Sequence, residues 1–336
     1  MTNIIESSTL HSALDIYAEQ IGRQAGFLTA ATIAGRRTVV RLLKQFHDNI
    51  PLAQIDLAAC VDMIDLWKSR PVNQKTGQRY AASTAAKVLS ELIRFFYWLD
   101  MSDQFQWTAP THFGQVSRRV CRLPSDRRPV HREKFTDEHF AILYRHAARM
   151  QRLMLCLAMN CGLRAVEMGQ LNRSNIIMDG DNDLMIDLQP GEGILRFVRP
   201  RTGACCEWLL WPETVEAAKL AIARADELGR DLLFVSDKGT PMGIGASRNP
   251  VSGFARHWDR LLKTVENQGV PKLPLGTLRT QMAERIRREY GDEVARQFLG
   301  HSRTTDTLTD YALRPAREAL RELRTSLASV FEPHST

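Results

Sequence analysis

The sequence predicts a mainly α chain with a small antiparallel β-sheet, an α+β fold in which a helical bundle precedes a mixed second domain. Three observations predict it. The first hundred residues carry four apolar stripes at helical spacing and no strand pattern. A short window between Leu184 and Trp211 holds apolar runs of strand length separated by Pro-Gly and Thr-Gly turns. From Glu213 onward the helical period returns and persists nearly to the end. A chain of 336 residues is long enough for two separate cores. The expected division is a helical domain at 1–107, a basic linker at 108–134 and a second domain at 135–336.

In the first domain, Leu10, Leu14, Tyr17 and Ile21 form one stripe. Thr29 or Thr32 opens a second helix, with Val39, Leu42, Leu43 and Phe46 inward and Arg36, Arg37, Arg41 and Lys44 outward. A third helix spans Leu57 to Lys68 and stops before Pro71. Ser83 caps a fourth, whose packing face is Val88, Leu89, Leu92, Ile93 and Phe96. The aromatic run Phe95 to Trp98 reads as core rather than as a platform for stacking bases. Four such helices with short loops make a bundle.

The stretch from Trp107 to Lys134 has no periodicity and three prolines. It carries Arg118, Arg119, Arg122, Arg127, Arg128, Arg132 and Lys134 against Asp126 and Glu133. A surplus of this kind suits a strap that follows phosphates. The competing reading is an exposed linker that is basic by chance.

Thr136 opens the second domain, and Leu153 to Met159 form an apolar helix stopped at Gly162. Three strands are expected at Leu184–Leu188, Ile194–Arg199 and Cys205–Trp211, and a further one at Leu232–Val235. Helices are expected at 213–228 and 252–265. Thr277 caps a helix with Leu278, Met282, Ile286 and Tyr290 on one face; Gly291 ends it, and Asp292 caps the next, which runs to Gly300. A short helix then carries Tyr311, and Pro315 starts a last amphipathic helix through Leu320, Leu323, Leu327 and Val330.

Composition narrows the function classes. Apolar content of 44% and charged content of 25% are those of a soluble globular protein. No apolar run approaches the ~18 residues of a membrane span, and the N-terminus lacks a basic region followed by an apolar one. A cytoplasmic, nucleoid-associated protein with no membrane partner is expected. The six cysteines show no C-x-x-C pair, so neither zinc nor a disulfide framework is indicated, and most read as buried small hydrophobes. No cofactor, metal or small-molecule substrate is expected. The net charge of +7 favours a polyanionic partner.

Two boxes carry the chemistry. Gly162-Leu163-Arg164-Ala165-Val166-Glu167 leads to Leu171, the pattern G-x-R-x-x-E-x-x-x-L. Arg279, Leu299-Gly300-His301 and Tyr311 follow, with His301 22 residues after Arg279 and Tyr311 ten after His301. Singly, each residue reads as an ordinary surface or turn residue. Together they resemble the tyrosine recombinase (phage-type integrase) family, closely over residues 135 to 315 and loosely over 1 to 105.

The resemblance implies that Arg164 and Arg279 hold a phosphodiester and that Glu167 steadies a guanidinium. It implies that His301 donates to the same phosphate and that Tyr311 attacks to give a 3′-phosphotyrosyl link, without metal or ATP. It implies a core-binding role for the helical domain, duplex DNA clamped between two domains, and a homotetramer on two DNA segments whose last helix docks on a neighbouring protomer. Two positions depart from the family pattern. Gly276 stands where H-x-x-R has histidine, and Arg201-Thr202-Gly203 stands where a hairpin K-T-G supplies a catalytic lysine. Arginine is a poor general acid but can stabilise charge. Lys238 and Lys272 are stand-ins on position alone. A site-specific recombinase is the reading; the alternative is a catalytically weak relative acting as a sequence-specific DNA-binding protein. A type IB topoisomerase is disfavoured by the short chain and the L-G-H box, and a helical scaffold without DNA function ranks last.

Overall fold

Thr9 and Thr29 start the first two helices in the same way, each turning its hydroxyl onto the backbone N–H three residues on. The computed structural model describes residues 8–123, 133–178, 186–199, 203–243, 251–300 and 309–332, with only the backbone for 309–315. It divides into two compact units, Met1–Val130 and His131–Thr336. No helix among the described residues is long and apolar enough to cross a membrane.

The first unit packs α1 (Leu10–Arg23), α2 (Ala30–Phe46), α3 (Leu57–Lys68) and α4 (Ala82–Asp100) around one core. The stripe Leu10, Leu14, Tyr17 and Ile21 is buried, as are Phe95, Phe96 and Leu99. Ser83 lies inside the first turn of α4, which starts one residue after Ala81 with no side-chain cap. Arg36 does not face solvent as expected. Its guanidinium reaches the buried Glu91 at 2.7 Å and the Tyr17 hydroxyl at 2.8 Å, while Tyr17 itself donates to Glu91. The stripe rule misplaces Arg36 because a long side chain can turn inward where a buried carboxylate needs a countercharge.

His47 is buried at the end of α2 and accepts a hydrogen bond from the Trp67 indole at 2.9 Å. Burial pushes its pKa down from the usual 6.5 to about 4. The unfolded chain then holds more protons between pH 6.5 and 4, so stability falls as pH drops through that window and is fully present above it. We expect a loss of up to about 3 kcal/mol from the first unit by pH 4. Thermal melts of wild type and His47→Gln from pH 7 to 4 test this: the variant should show a shallower fall, and parallel curves would exclude the effect.

The stretch expected as linker does not leave the bundle at Trp107. Phe113 is buried in the helical core, Val116 and Val120 pack on it, and the Cys121 N–H donates to Lys68 O at 2.9 Å. Sparse apolar residues without periodicity can cover a core, and that is why pattern reading stopped too early. Arg118, Arg119 and Arg122 are exposed along this segment, with Arg118 also donating to the Tyr97 hydroxyl at 2.9 Å. Arg127 and Arg128 lie outside the described residues.

In the second unit Thr136 caps α5 (Asp137–His146), and α6 (Arg149–Asn160) runs through the centre, buried on all sides over its second half. Asn160 at its end is fully buried; its amide donates to Leu209 O and its oxygen accepts from the Trp211 N–H and the Thr214 hydroxyl, each near 3 Å. One side chain thus ties α6 to the sheet and to α8 (Pro212–Glu227). Between them lie α7 (Ala165–Met168) and an antiparallel sheet of β1 (Ile176–Met178), β2 (Gly193–Val198) and β3 (Cys205–Leu210), in that order. The register pairs Ile177 with Ile194 and Arg196 with Glu207.

Two strand assignments need correction. The first strand is Ile176–Met178, not Leu184–Leu188: residues 186–189 form no strand, and 184–185 lie outside the described residues. A three-residue strand is too short to show alternation, so the neighbouring apolar run drew the assignment. Leu232–Val235 makes only isolated bridges, Asn172 to Leu232 and Val235 to Pro241: Leu233, Phe234 and Val235 are buried in an extended segment with no strand beside it among the described residues.

After α9 (Ser252–Thr264), α10 (Gly276–Phe298) begins two residues earlier than a Thr277 cap requires, with Leu275 at the cap position, and breaks at Gly291, where φ is 88° and ψ 175°. The expected stop at Gly291 is therefore present. The terminal helices differ more. Pro315 does not begin a new helix; α11 (Thr309–Ser326) passes through it, and α12 (Ala328–Phe331) follows. The apolar face of α11 covers its own unit, with Leu320 and Leu323 buried, and Leu327 at the cap of α12 is buried beside them. Arg317, Arg321 and Arg324, on one side of the helix, pair with Glu207, Glu192 and Glu213 at 2.6 to 2.8 Å. Of the two placements open to an amphipathic terminal helix, packing on its own domain or docking on a neighbouring protomer, this chain shows the first: three carboxylates and an apolar surface of its own unit meet the helix.

Candidate active site

Gly162 turns the chain at the end of α6 with φ +56°, where a Cβ would collide with the Phe298 ring. Two residues later Arg164 occupies the cap position of α7, with its side chain exposed. Its backbone N–H donates to Glu167 Oε2 at 2.9 Å, so the glutamate folds back on its own helix start. Glu167 is buried, and its carboxylate does more than cap. Its Oε1 lies 2.9 Å from Arg199 Nε, an ion-pair contact rather than a directed hydrogen bond. Its Oε2 lies 3.8 Å from Arg279 Nη1.

Arg279, in the first turn of α10, is 8% exposed. Its Nη1 donates to Gly162 O and its Nη2 to Leu299 O at 3.1 Å. Burial pushes its pKa down to about 10; Glu167 opposes the shift, and Arg164 and Arg199 reinforce it. The guanidinium therefore remains charged at neutral pH, in a cluster where one carboxylate serves two buried arginines.

The far end of α10 is held by the same cluster. The last carbonyls of a helix lack internal partners. Here Trp208 Nε1 donates to Phe298 O at 2.8 Å, Arg279 to Leu299 O, and Arg199 Nη1 to Gly300 O at 2.6 Å. Gly300 has φ +60°, and a Cβ there would lie 2.5 Å from Cys206 Sγ and 2.9 Å from Arg199 Cζ. Three cationic or N–H donors at a helix C-terminus also complement its dipole.

The structure thus brings together the beginning of the first box, Arg279 and the Leu299-Gly300 backbone through Glu167 and Arg199. His301 and Arg201 lie outside the described residues, and Tyr311 lies near the start of α11 with its side chain undescribed. Gly276 is exposed at the start of α10, with open space where a side chain would stand. Of the two stand-in lysines, Lys272 pairs with Glu266 and Lys238 is an exposed residue in a turn. Among the described residues no group of three His, Cys, Asp or Glu side chains could hold a metal ion.

Arg199 is the residue that motif reading missed. A signal was present: the β2 alternation places Leu195 and Phe197 inward, and Arg199 continues that register. A charge on the buried face of a strand must meet a partner, which marks the position for scrutiny. Chemically, the arrangement presents fixed cations with fewer anions than it needs, suited to holding an oxyanion.

No protein-family model matches the sequence, and comparison with curated proteins gives no match. Solved structures do match. A lambda integrase tetramer bound to a Holliday junction aligns with TM-score 0.55 at 16% identity, over 89% of this chain and 80% of that one. Lambda integrase residues 75–356 bound to DNA align with TM-score 0.56 at 18% identity, over 91% and 97%. The Tn1549 transposon integrase with a circular-intermediate DNA aligns with TM-score 0.57 at 16% identity, over 94% and 99%. At these identities the likeness is one of fold: the chain has the fold of the tyrosine recombinases, mainly α with the small antiparallel sheet set among the helices of its second unit.

Proposed function

We propose that the protein is a site-specific DNA recombinase that cleaves and rejoins strands through a 3′-phosphotyrosyl intermediate. The observation that carries this reading is the buried Arg279–Glu167–Arg199 cluster, set beside exposed Arg164 in a recombinase fold. In the proposed step, the Tyr311 oxygen attacks phosphorus, the bond to the 5′-oxygen breaks, and a 5′-hydroxyl leaves with a proton. Arg164 and Arg279 balance the negative charge that builds on the non-bridging oxygens, and His301 donates a hydrogen bond to it. Arg201 is assigned charge stabilisation rather than proton donation. One phosphoester replaces another, so no ATP is consumed. Double-stranded DNA is the proposed partner, with a homotetramer, like the lambda integrase on its junction, as the proposed assembly.

A second reading has its own support. Gly276 offers no side chain where the family pattern has histidine, and Arg201 replaces its lysine; both departures suit a protein that binds DNA without cutting it. Incubation with a nicked suicide duplex bearing a bound site separates the two. A denaturation-resistant adduct supports the recombinase, and binding without adduct supports the second reading.

The exposed Arg118, Arg119 and Arg122 are proposed to neutralise DNA phosphates, together with Arg127 and Arg128. Replacing the first three by alanine should lower the slope of log affinity against log salt by about 0.9 for each phosphate no longer neutralised. An unchanged slope would place this segment away from the duplex.

A further inference from the structure

The second unit holds a cavity of about 1170 Å³, lined chiefly by residues of α6, α8, α9 and the segment 235–242. None of Arg164, Glu167, Arg199 and Arg279 lines it. Its size is that of a large small-molecule pocket, a class that runs to roughly 1,000 Å³. Its frame is fixed. The buried Gln151 accepts from the Ala148 N–H at 2.8 Å and donates to His257 O at 2.9 Å, which ties the start of α6 to α9.

Three kinds of lining meet there. Leu220, Val235 and Met242 supply apolar surface, and Leu220 is left 44% exposed. Arg149, Arg256 and Arg260 supply charge; all three are exposed, and their side chains have no ion pair or hydrogen bond among the described residues. The three arginines of α11, by contrast, each meet a carboxylate. A fourth lining arginine, Arg224, is committed to Glu227 at 3.1 Å and to Asp237 O at 3.2 Å. Burial, then Arg260 and Arg256, hold the lining His257 below its usual pKa against the opposing pull of Asp237. Positive charge therefore prevails over the one unpaired lining carboxylate. Asp237 and Thr240, both exposed, add an acceptor and a hydroxyl.

We propose that this cavity binds a nucleoside phosphate, with its phosphates on Arg149, Arg256 and Arg260 and its base against Leu220, Val235 and Met242. Guanidiniums without partners suit phosphate oxygens, which their planar fork matches. An inorganic anion would leave the apolar lining unused, and an acyl chain would leave Asp237 and Thr240 unused. A nucleotide engages all three kinds, since its sugar hydroxyls can donate to Asp237. A paired duplex resting on the rim offers phosphates but keeps its bases stacked. The same chemistry reaches the cavity from two sources, a free nucleotide or one nucleotide turned out of a DNA strand at the cost of unstacking. Nothing in the site depends on strand cleavage.

The test titrates the full chain with ADP and with pyrophosphate by calorimetry. ADP should bind about tenfold tighter, because it adds a base to the same two phosphates. Arg256→Gln and Arg260→Gln should each weaken ADP roughly tenfold, the loss of one charged hydrogen bond. Leu220→Asn should narrow the gap between ADP and pyrophosphate. All three side chains are exposed or half-exposed, so the variants should melt as wild type does. Two competitors then separate the sources: a paired duplex, and the same duplex with one unpaired adenine. Stronger displacement of ADP by the second assigns the site to a nucleotide of a DNA strand. Equal displacement by the two, or none by either, assigns it to a free nucleotide. ADP binding no tighter than pyrophosphate overturns the proposal and leaves the arginines to ordinary backbone phosphates. ADP binding that neither arginine variant weakens overturns it as well.

Discussion

Tyr311→Phe is expected to abolish covalent attachment to DNA while leaving folding and affinity unchanged. The substitution removes one oxygen and keeps the ring. The missing oxygen is the proposed nucleophile, so no other group on α11 takes over the step. Tyr290 is the other tyrosine near the second box, and the structure gives it a different occupation. Its hydroxyl donates to Glu322 at 2.7 Å, and burial with that hydrogen bond and charge pushes its pKa up to about 12. A phenol held this way by a carboxylate on the helix that carries Tyr311 is a poor nucleophile at neutral pH. The measurement is adduct on a suicide duplex, resolved by denaturing gel, with binding followed separately. Adduct persisting in Tyr311→Phe at more than about a thousandth of the wild-type level would move the nucleophile elsewhere. Loss of binding along with adduct would mean that the hydroxyl holds the fold.

Much of this arrangement is legible in the sequence, and the exceptions share physical causes. Helices with caps and long apolar stripes, such as α1, α3 and α5, are placed within a few residues because their signals are local. The break at Gly291 is equally local, since a left-handed backbone selects glycine. Spacing selects Arg164, Glu167 and Arg279 as candidates, and the structure brings the three together and adds how they are held. What cannot be read is the destination of long charged side chains. Arg36 turning in to Glu91, Arg199 turning in to Glu167, and the arginines of α11 meeting Glu192, Glu207 and Glu213 all depend on partners distant in sequence. Periodicity records where a Cα faces, and a guanidinium can end roughly six or seven ångströms from that direction, the length of its stem. The three-residue β1 lies below the length at which alternation can be seen at all.

Glu167→Ala is expected to be the most destabilising single change near the site. Glu167 is the carboxylate serving both Arg199 and Arg279, and both guanidiniums are buried. Removing one member of a buried ion group leaves charges that neither water nor protein compensates, at a cost of about 3–5 kcal/mol. The Arg164 N–H also loses its acceptor at the start of α7. For a unit of this size the melting temperature should drop on the order of 10 °C. Glu167→Gln keeps an oxygen for that N–H and should lose less. The charge imbalance supplies a second, independent readout. With the carboxylate gone the cluster gains positive charge, so an oxyanion that occupies it stabilises the folded state by mass action. Sulfate, compared with chloride at matched ionic strength, should therefore recover more stability in Glu167→Ala than in wild type. Equal sulfate effects on the two proteins would show that the arginines are not poised for an anion, and a melting point within about 2 °C of wild type would show that they do not depend on Glu167.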